Sequence, residues 1–308
     1  MGNLRDQRPG RGGRKDRPRG HILLSMEHTA EESRAERIVR CEQGRLSPRE
    51  DRVTVEEPLE IRVGGQTLAV TMRTPGHDHE LAAGWLVAEG IVTRPEEIVR
   101  IEHCRETRSP EEEGNVVIVR TTAPAAAHLD RARRILVTTS SCGLCGRSSI
   151  EAVHGRFPPV ESRATVDMQV LLSLPGTLRR AQATFAETGG LHAAGVFTLA
   201  GTLVAAREDV GRHNAVDKVI GLLFREGRLP LSDSILFVSG RASFEIVQKA
   251  VAAGIPIVAA VSAPSTLAID LARSSGVALA GFLREQGFNL YAGADRVVPR
   301  ESAPGTTG

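Results

Sequence analysis

The sequence predicts an α/β protein in which a small α+β domain precedes a larger domain built on a mostly parallel sheet. Beyond about residue 234, short apolar runs alternate with amphipathic helical stretches, a pattern typical of parallel strands joined by right-handed crossover helices. Before about residue 130, strand-like runs are separated by glycine turns and by one apolar helix. A chain of 308 residues, 41% of them hydrophobic, is long enough for two ordinary domains.

Residues 1–50 are predicted to form a basic, disordered tail, with a short helical stretch near 31–40. The first 20 residues hold seven Lys or Arg against two Asp, a net charge of +5, and they are rich in Gly and Pro. No aromatic residue interleaves these arginines, so a solvated tail is favoured over a nucleic-acid-binding segment. Residues 301–308 are predicted to form a second disordered tail.

Residues 51–130 are predicted to form the small α+β domain. Asp78 is the expected N-cap of its helix, with Glu80 in the first turn. His77 and His79 beside these acids suggest a weak metal site, but a capping loop is favoured because a closed site needs further ligands. The predicted elements are a hairpin over 60–72 that turns at Gly64-Gly65, a helix over 81–89 that Gly90 ends, and strands over 98–103 and 115–120.

Residues 131–190 are predicted to carry a reactive cysteine loop and connecting helices, one of them beginning at Pro175 and ending at Thr188. The loop is Ser140-Ser141-Cys142-Gly143-Leu144-Cys145-Gly146, which holds two of the four cysteines as a C-x-x-C flanked by glycines. A strand-like run precedes it and a helix start follows, so free backbone N–H groups and Arg147 favour a thiolate there. Glycines let a second reactant approach the sulfur closely. We interpret this segment as a sulfur-handling loop.

Three other interpretations compete for the same C-x-x-C. A structural zinc site needs four ligands, and neither Cys41 nor Cys104 supplies a second pair. A thioredoxin-like dithiol is usually early in its domain and beside aromatic residues, which is not the case here. A structural disulfide is disfavoured because four cysteines without a secretory signal suit a reducing compartment.

Residues 191–300 are predicted to form the larger domain. Three of its loops follow the carboxyl ends of strands, where ligands bind in such sheets: 239–242, 262–265 and 284–287. Arg241 and Arg284 supply positive charge, and Glu285 could accept the paired donors of a guanine edge. These loops indicate a nucleotide-like, phosphate-bearing ligand, although Ser243 and Ser265 could simply cap helices. The predicted elements are a hairpin over 191–206, strands over 234–238, 257–261 and 277–283, and helices over 215–224, 243–253 and 266–274.

The chain is expected to be a soluble cytoplasmic protein without a membrane partner. No apolar run approaches the roughly 20 residues of a membrane-spanning helix, and no apolar signal-peptide core follows the first charged residues. The formal net charge of +2 gives no reason to expect a nucleic-acid partner.

Five motifs stand out along the chain: Ser141-Cys142-Gly143-Leu144-Cys145-Gly146, Gly190-Leu191-His192-Ala193-Ala194, Glu208-Asp209-Val210-Gly211-Arg212-His213-Asn214-Ala215-Val216-Asp217-Lys218, Ser239-Gly240-Arg241 and Ser262-Ala263-Pro264-Ser265. Together, over about residues 51–299, they resemble the formate dehydrogenase accessory sulfurtransferase family. The third motif is the most specific, because so long a string of unlike residues has no simple structural cause.

This resemblance implies a sulfur-transfer function. In that family a cysteine takes sulfur from a cysteine desulfurase as a persulfide and passes it to the molybdenum cofactor. The cofactor is a bis-molybdopterin guanine dinucleotide, which is then inserted into the catalytic subunit of formate dehydrogenase. By position, Cys142 is the persulfide-bearing residue and Cys145 its partner. The implied cofactor-binding residues are Phe282, Leu283, Arg284, Glu285, Gln286 and Gly287, with Ser262, Arg241 and His213.

The resemblance also implies a fold: a cytidine-deaminase-like, three-layer αβα C-terminal domain with a mixed sheet. The deaminase chemistry is absent from the residues, because His213-Asn214-Ala215 stands where a deaminase carries H-x-E, and 240–244 lacks P-C-x-x-C. We therefore expect no zinc, and a pocket that binds GDP-like nucleotides. A homodimer is also expected.

The predicted mechanism is thiolate attack by Cys142 on the outer sulfur of a donor persulfide, followed by delivery from the glycine-flanked loop. Asp209 and His213 are candidates for the transfer route, with His213 exchanging protons near neutral pH; a helix-capping histidine is the alternative. The role of Cys145 stays open among disulfide formation, resolution of the persulfide and tuning of its neighbour. Two other functions remain: a non-catalytic chaperone for the cofactor or the dehydrogenase, and a zinc-stabilised binding module.

Overall fold

The computed structural model describes residues 31–107, 109–123, 125 and 157–299 of the chain. Within these ranges the strands form a two-stranded arm, a four-stranded sheet, a six-stranded mixed sheet and a short parallel pair. The short pair joins β7 (Val166–Asp167) to β14 (Val297–Val298). The mixed α/β architecture predicted from the sequence is confirmed.

The arm consists of β1 (Ser33–Glu42) and β2 (Arg45–Thr54), paired antiparallel along their whole length. The helix predicted near 31–40 is therefore wrong, and residues 33–50 are strands rather than tail. Gln43 and Gly44 both adopt positive φ angles, 50° and 77°, which is the geometry of a two-residue hairpin turn. Hydrogen bonds and side-chain contacts between the two strands stabilise this segment. The charge pattern and helical periodicity of one stretch of sequence do not reveal such pairing.

The N-terminal lobe contains the four-stranded sheet, in the order β4-β3-β6-β5, and, within residues 57–121, one α-helix. The predicted hairpin and both predicted strands are confirmed. The N-cap assignment is wrong: His77 occupies that position with φ of 53°, while Asp78 begins the helix and binds Arg73 with its carboxylate. The elements are β3 (Glu57–Val63), β4 (Gln66–Arg73), α1 (Asp78–Ala88), β5 (Ile98–His103) and β6 (Val116–Thr121), with 3-10 turns at Pro95–Glu97 and Pro110–Glu112.

The C-terminal lobe is organised around the six-stranded sheet, in the order β13-β12-β11-β10-β8-β9. The three central strands β12, β11 and β10 are parallel, while β13 and β8 pair antiparallel at either side. The predicted hairpin and the strand-helix alternation are confirmed. The strands are β8 (His192–Thr198), β9 (Leu203–Asp209), β10 (Ser234–Val238), β11 (Ile257–Ala260), β12 (Ala278–Arg284) and β13 (Gly287–Ala292).

Helices cover both faces of this sheet and give three layers. One apolar cluster joins Leu171, Leu174 and Leu178 to the sheet, and another joins the sheet to helices on its opposite face. The helices are α2 (Met168–Arg180) and α3 (Ala183–Thr188) on the first face, with α4 (Arg212–Arg225), α5 (Phe244–Ala252) and α6 (Thr266–Ser274) on the second.

The single helix predicted from Pro175 to Thr188 is wrong, because Pro175 lies inside α2 and a second helix begins at Ala183. Asp167 caps α2 by accepting a hydrogen bond of 2.7 Å from the Gln169 N–H. Three fully buried leucines on one face of α2 offset the cost of an internal proline, which is about 3 kcal/mol.

The two lobes meet where α1 crosses α4, and the crossing depends on glycine. A β-carbon on Gly84 would lie 1.9 Å from the Asp217 carbonyl oxygen, and one on Gly221 would lie 1.8 Å from that of Glu80. Both positions therefore exclude any side chain. This close approach lets one buried apolar cluster run from Leu59 in the first sheet to Leu279 in the second.

Candidate functional site

The three predicted ligand loops lie side by side at the carboxyl edge of the parallel strands. The Ser262 N–H donates to the Gly240 carbonyl (3.3 Å), and the Phe282 N–H donates to the Ser262 carbonyl (3.2 Å). Ala242 and Pro264 also form an isolated parallel bridge. The structure thus brings Arg241, Ser262 and the 282–287 stretch together at one edge of the sheet.

The 282–287 stretch is the tip of the β12–β13 hairpin rather than an open loop. Phe282 adopts φ of 54° at an irregularity in the pairing and is 46% exposed, whereas Leu283 is buried. The Arg284 guanidinium donates to the carbonyls of Val261 and Leu283 (the latter 2.8 Å), so it fastens the hairpin to the neighbouring loop. Glu285 and Gln286 form the exposed turn before Gly287.

A cavity of about 520 Å³ opens on the α2 and α3 side of this edge, within the range of small-molecule sites. Ser239 and Val261 line it from the ends of β10 and β11. Gly190, Leu191 and His192 line it from the start of β8. The remaining lining residues come from α2, α3 and their connections: Pro175, Leu178, Arg179, Gln182, Phe185 and Gly189, with Phe237 of β10.

His213 lies on the second face of the sheet, where α4 begins. Its Nε2 atom is 3.0 Å from the Ser243 hydroxyl and 3.8 Å from the Glu245 carboxylate. Burial, with the positive charges of Arg212 and Lys249, lowers the pKa of His213 to about 4. At this pKa the imidazole is neutral at pH 7, because its surroundings disfavour the charged form; this favours the structural alternative for His213 over proton exchange near neutral pH.

The motif around His213 has a structural cause that the sequence did not reveal. The Asp209 carboxylate, completely buried, lies 2.7 Å from the Lys218 ammonium and accepts hydrogen bonds from the Asn214 amide (2.9 Å) and the Thr74 N–H (3.2 Å). Lys218 also donates to the Thr74 carbonyl (2.9 Å). These groups fix α4 and β9 to the segment before α1, so the Asp209 carboxylate is part of the framework that joins the lobes.

Two residues of the quoted motifs, His192 and Arg212, belong to this edge and were missing from the predicted site. A β-carbon on Gly240 would lie 3.6 Å from Arg212 Cδ and 3.6 Å from His192 Nδ1. Burial, followed by the charge of Arg212, lowers the pKa of His192. Their proximity depends on β8 lying beside β10, a non-local pairing that spacing along the chain does not show. The one available signal was their presence in two of the resemblance motifs.

The serines at the helix starts have different roles. Ser265 accepts a hydrogen bond of 3.3 Å from the Ala268 N–H and so caps α6, which is the simple structural interpretation. Ser243 precedes α5 but makes its hydrogen bond to His213 instead. Arg241, two residues before Ser243, is exposed.

Cys142 and Cys145 lie outside the described residues. The described cysteines, Cys41 and Cys104, are free thiols.

At the start of α1, Asp78 binds Arg73, and Glu80 binds Arg207 in two contacts of 2.6 and 2.8 Å. Within the described ranges, no group of three or more His, Cys, Asp or Glu side chains is placed to hold a metal ion.

The candidate site is a cavity at the carboxyl edge of a mixed sheet in a two-lobed α/β protein. The model of the FdhD/NarQ family matches residues 54–298, and the chain therefore belongs to that family. In the part of the chain that the structure describes, no helix has the length and apolar character needed to cross a membrane.

Several curated relatives share about half of their residues with this chain. The sulfur carrier protein FdhD of Streptomyces avermitilis is 51% identical over 276 residues, covering 87% of this chain and 96% of the relative. The protein of the same name from Mycobacterium tuberculosis is 51% identical over 257 residues, covering 81% and 93%. That of Anaeromyxobacter dehalogenans is 48% identical over 258 residues, covering 80% and 88%.

The fold also resembles a crystal structure from Desulfotalea psychrophila, of a protein described as a formate dehydrogenase accessory protein. The TM-score is 0.69 at 24% identity, and the match covers 87% of this chain and all of the other. At that identity the likeness concerns the fold.

Proposed function

We propose that this protein is a sulfurtransferase that carries sulfur as a persulfide on Cys142 and delivers it to a molybdenum cofactor destined for formate dehydrogenase. The observation that carries the proposal is the match to relatives named sulfur carrier protein across nearly their whole length. The C-x-x-C of the glycine-flanked loop, Cys142 and Cys145, supplies the chemistry that such a carrier needs.

Loading is a thiol exchange. The Cys142 thiolate attacks the outer sulfur of a persulfide on a cysteine desulfurase, a new S–S bond forms on Cys142, and the donor cysteine leaves as a thiolate. Delivery as sulfide requires two electrons. The Cys145 thiolate supplies them by attacking the inner sulfur, which leaves a Cys142–Cys145 disulfide and releases the outer sulfur in reduced form.

The cofactor is the substrate in this scheme, and the carboxyl-edge cavity is our proposed site for one of its nucleotide ends. The cavity volume suits a single nucleotide, and Arg179, Ser239 and His192 around it offer donors to phosphate and base. The neighbouring stretch from Phe282 to Gly287, with Ser262 and Arg241, would extend the contact along the rim. We propose bis-molybdopterin guanine dinucleotide as the cofactor form, with GDP as its simplest probe.

We also propose a specific fold for the C-terminal lobe, beyond its three layers. It is a cytidine-deaminase-like domain whose pocket binds a different ligand. Support comes from the order of elements, hairpin, helix and then alternating strands and helices. His213-Asn214-Ala215 stands at the start of α4, where a deaminase would carry its zinc ligand and glutamate. The proposed partners are the desulfurase, the catalytic subunit of formate dehydrogenase and a second copy of this chain, all in the cytoplasm.

The test is mass spectrometry of purified protein after incubation with a cysteine desulfurase and cysteine. The wild type should gain one sulfur atom that maps to Cys142, and Cys142→Ala should lose that gain completely. Cys41→Ala is the matched control, because Cys41 is also a free thiol and is exposed. A wild type that never gains sulfur, or a Cys142→Ala variant that still gains it elsewhere, would contradict the transfer role.

A second function is favoured by the cavity itself, which a non-catalytic cofactor chaperone would also need. The two functions are distinguished by measuring activation of formate dehydrogenase in cells that lack the wild-type protein. A chaperone with Cys142→Ala would still activate the dehydrogenase, whereas a sulfur carrier with that substitution would not.

A further inference from the structure

We propose that two copies of this protein associate through their arms, with β1 of one copy pairing antiparallel with β1 of the other about a twofold axis at Ile38. The pairing joins the two hairpins into one four-stranded ribbon. The inference rests on the proposed partnership with a second copy of the chain, and it assigns the surface and the register of that contact.

The first observation is that the arm contacts the body at its base. Thr54 bonds to Thr188 at 2.9 Å, and Ser33 and Arg52 lie 3.3 and 3.5 Å from the Glu187 carboxylate. Within the described ranges, the arm beyond this base adds no residue to either apolar cluster of the body. A two-stranded hairpin is marginally stable by itself in water, so pairing with further strands stabilises it.

The second observation is an exposed apolar face at the tip of the arm. Val39 is 65% exposed and Leu46 is 73% exposed. In the hairpin register Val39 lies opposite Pro48, and Cys41 lies opposite Leu46, so the four side chains share one face. An apolar face that lies away from the core marks a contact surface.

The third observation is that the two edges of the arm differ. Pro48 has no N–H, so the pair of Val39 and Pro48 is one that exchanges no backbone hydrogen bonds. By alternation, the backbone groups of the odd-numbered residues from Ala35 to Cys41 point away from β2. In the described part of the chain β1 pairs with β2 alone, so this edge is free. Pro48 interrupts the outer edge of β2, which leaves β1 as the edge that can accept another strand.

The charges along β1 are complementary to those of a second, antiparallel β1. With the axis at Ile38, Arg34 lies opposite Glu42 of the second copy, and the axis repeats that pair. Glu36 likewise lies opposite Arg40 of the second copy. All four side chains are at least 42% exposed in one copy, so they can reach across. Opposite charges that face each other across strands stabilise the pairing.

The same charges disfavour the neighbouring registers. An axis one residue nearer the base places Arg34 opposite Arg40, and an axis one residue nearer the tip places Glu36 opposite Glu42. Like charges directly opposite each other are destabilising. Because the pattern is self-complementary in one register, it favours a second copy of this chain over an unrelated partner.

The first test is sedimentation velocity of the full-length protein over a range of concentrations. Wild type should dimerise, and Arg40→Glu should raise the dimer Kd at least about tenfold, because the axis repeats its like-charge contact with Glu36. Combining Glu36→Arg with Arg40→Glu restores opposite signs and should return Kd to within about threefold of wild type. Arg49→Glu is the matched control: Arg49 is an exposed arginine of β2, and its reversal should leave the dimer intact.

The second test is disulfide cross-linking in a chain whose four cysteines are replaced by alanine. Ile38→Cys should cross-link two copies on mild oxidation, because the Cα atoms across the axis lie about 4.5 Å apart, within the range of a disulfide. Arg49→Cys in the same background should not cross-link. Three strand spacings of about 4.8 Å each separate the two copies of Arg49 in the ribbon.

A wild type that stays monomeric would overturn the arm pairing. So would a dimer that Arg40→Glu leaves intact and that Ile38→Cys does not cross-link, although the second copy would then remain a partner through another surface. If wild type is monomeric and Arg40→Glu slows the gain of sulfur, the arm contacts the desulfurase instead. The gain of sulfur on Cys142 in wild type tests the carrier role separately from all of these outcomes.

Discussion

Lys218 is one of the most deeply buried cations of the described residues, with 1% of its side chain exposed. Its ammonium group lies 2.7 Å from the Asp209 carboxylate and donates to the carbonyls of Thr74 (2.9 Å) and Glu208 (3.3 Å). Both charges are satisfied by contacts that reach from α4 to the segment before α1. Removal of either partner would leave the other charge buried without its counter-ion.

Lys218→Met should lower the free energy of unfolding by about 3–5 kcal/mol, because Asp209 loses its counter-ion in a site closed to water. The measurement is urea denaturation followed by circular dichroism. Arg228→Met is the matched control: Arg228 pairs with Glu226 at 3.5 Å on the surface, and its loss should cost less than about 1 kcal/mol. Adding Asp209→Asn to Lys218→Met should recover part of the loss. A Lys218→Met protein within 1 kcal/mol of wild type would refute the framework role of this pair.

At this scale the sequence predicted residue types better than residue roles. The motif from Glu208 to Lys218 was identified as special, yet Asp209 and Lys218 in it stabilise the join between the lobes. Arg212 was quoted but not selected, because the burial of its Nε atom without a hydrogen-bond partner is a property of the folded surroundings. Burial and partners decide such roles, and neither is visible in a linear pattern.

Among the elements, α3 is the one that connects the arm to the cavity. Its first N–H groups, of Thr184 and Phe185, donate to the Glu208 carboxylate at 3.0 and 2.9 Å, so β9 supplies the cap of a helix that has no cap of its own. The Thr188 hydroxyl accepts from the Thr54 hydroxyl at 2.9 Å at the base of the arm. Because Phe185 lines the cavity, the arm and the cavity wall are fastened to the same short helix.

The crossing of α1 and α4 makes a sharper prediction. Gly84→Ala and Gly221→Ala should each cost at least about 2 kcal/mol of unfolding free energy, since the new methyl group would overlap a backbone carbonyl of the facing helix. Gly176→Ala, inside α2, is the control: its nearest contacts are flexible side-chain ends at 3.5 and 3.6 Å, and it should gain about 0.5–1 kcal/mol. Thermal and urea denaturation measure all three. Equal stabilities for the three variants would show that the helices can separate freely.

Except for β13 (Gly287–Ala292), which the sequence analysis missed, the elements of both sheets from Glu57 onward could be predicted, because each carries its own period of apolar residues and its own turn residues. The two strands of the arm could not be predicted. They stabilise each other, and their apolar and charged residues do not alternate clearly between two faces. Nor could the bounds of α2 be predicted, because three buried leucines on one face of this helix keep it helical through Pro175.

For the whole molecule, the main consequence is that the lobes share one interior. The buried apolar cluster includes Ile61 of β3, Leu81 of α1, Val216 of α4 and Val258 of β11. The Arg207–Glu80 pair also spans the two lobes. The sequence predicts two adjacent units but not this shared core, because the contact depends on glycines that let two helix backbones approach each other. The position of the cavity at the carboxyl edge was predictable from the strand order alone, whereas its walls from α2 and α3 were not.

A shared interior should make the two lobes unfold together. Trp85, the single tryptophan of the chain, lies on α1 and packs against the common cluster, so its fluorescence reports on the N-terminal lobe. Far-ultraviolet circular dichroism reports on all helices and strands, most of which belong to the C-terminal lobe. The two urea transitions should coincide in wild type, and in Gly84→Ala both midpoints should move down by the same amount. A Trp85 transition at lower urea, with most of the dichroism retained, would mean that the C-terminal lobe is stable alone and that the crossing of α1 with α4 adds little to it.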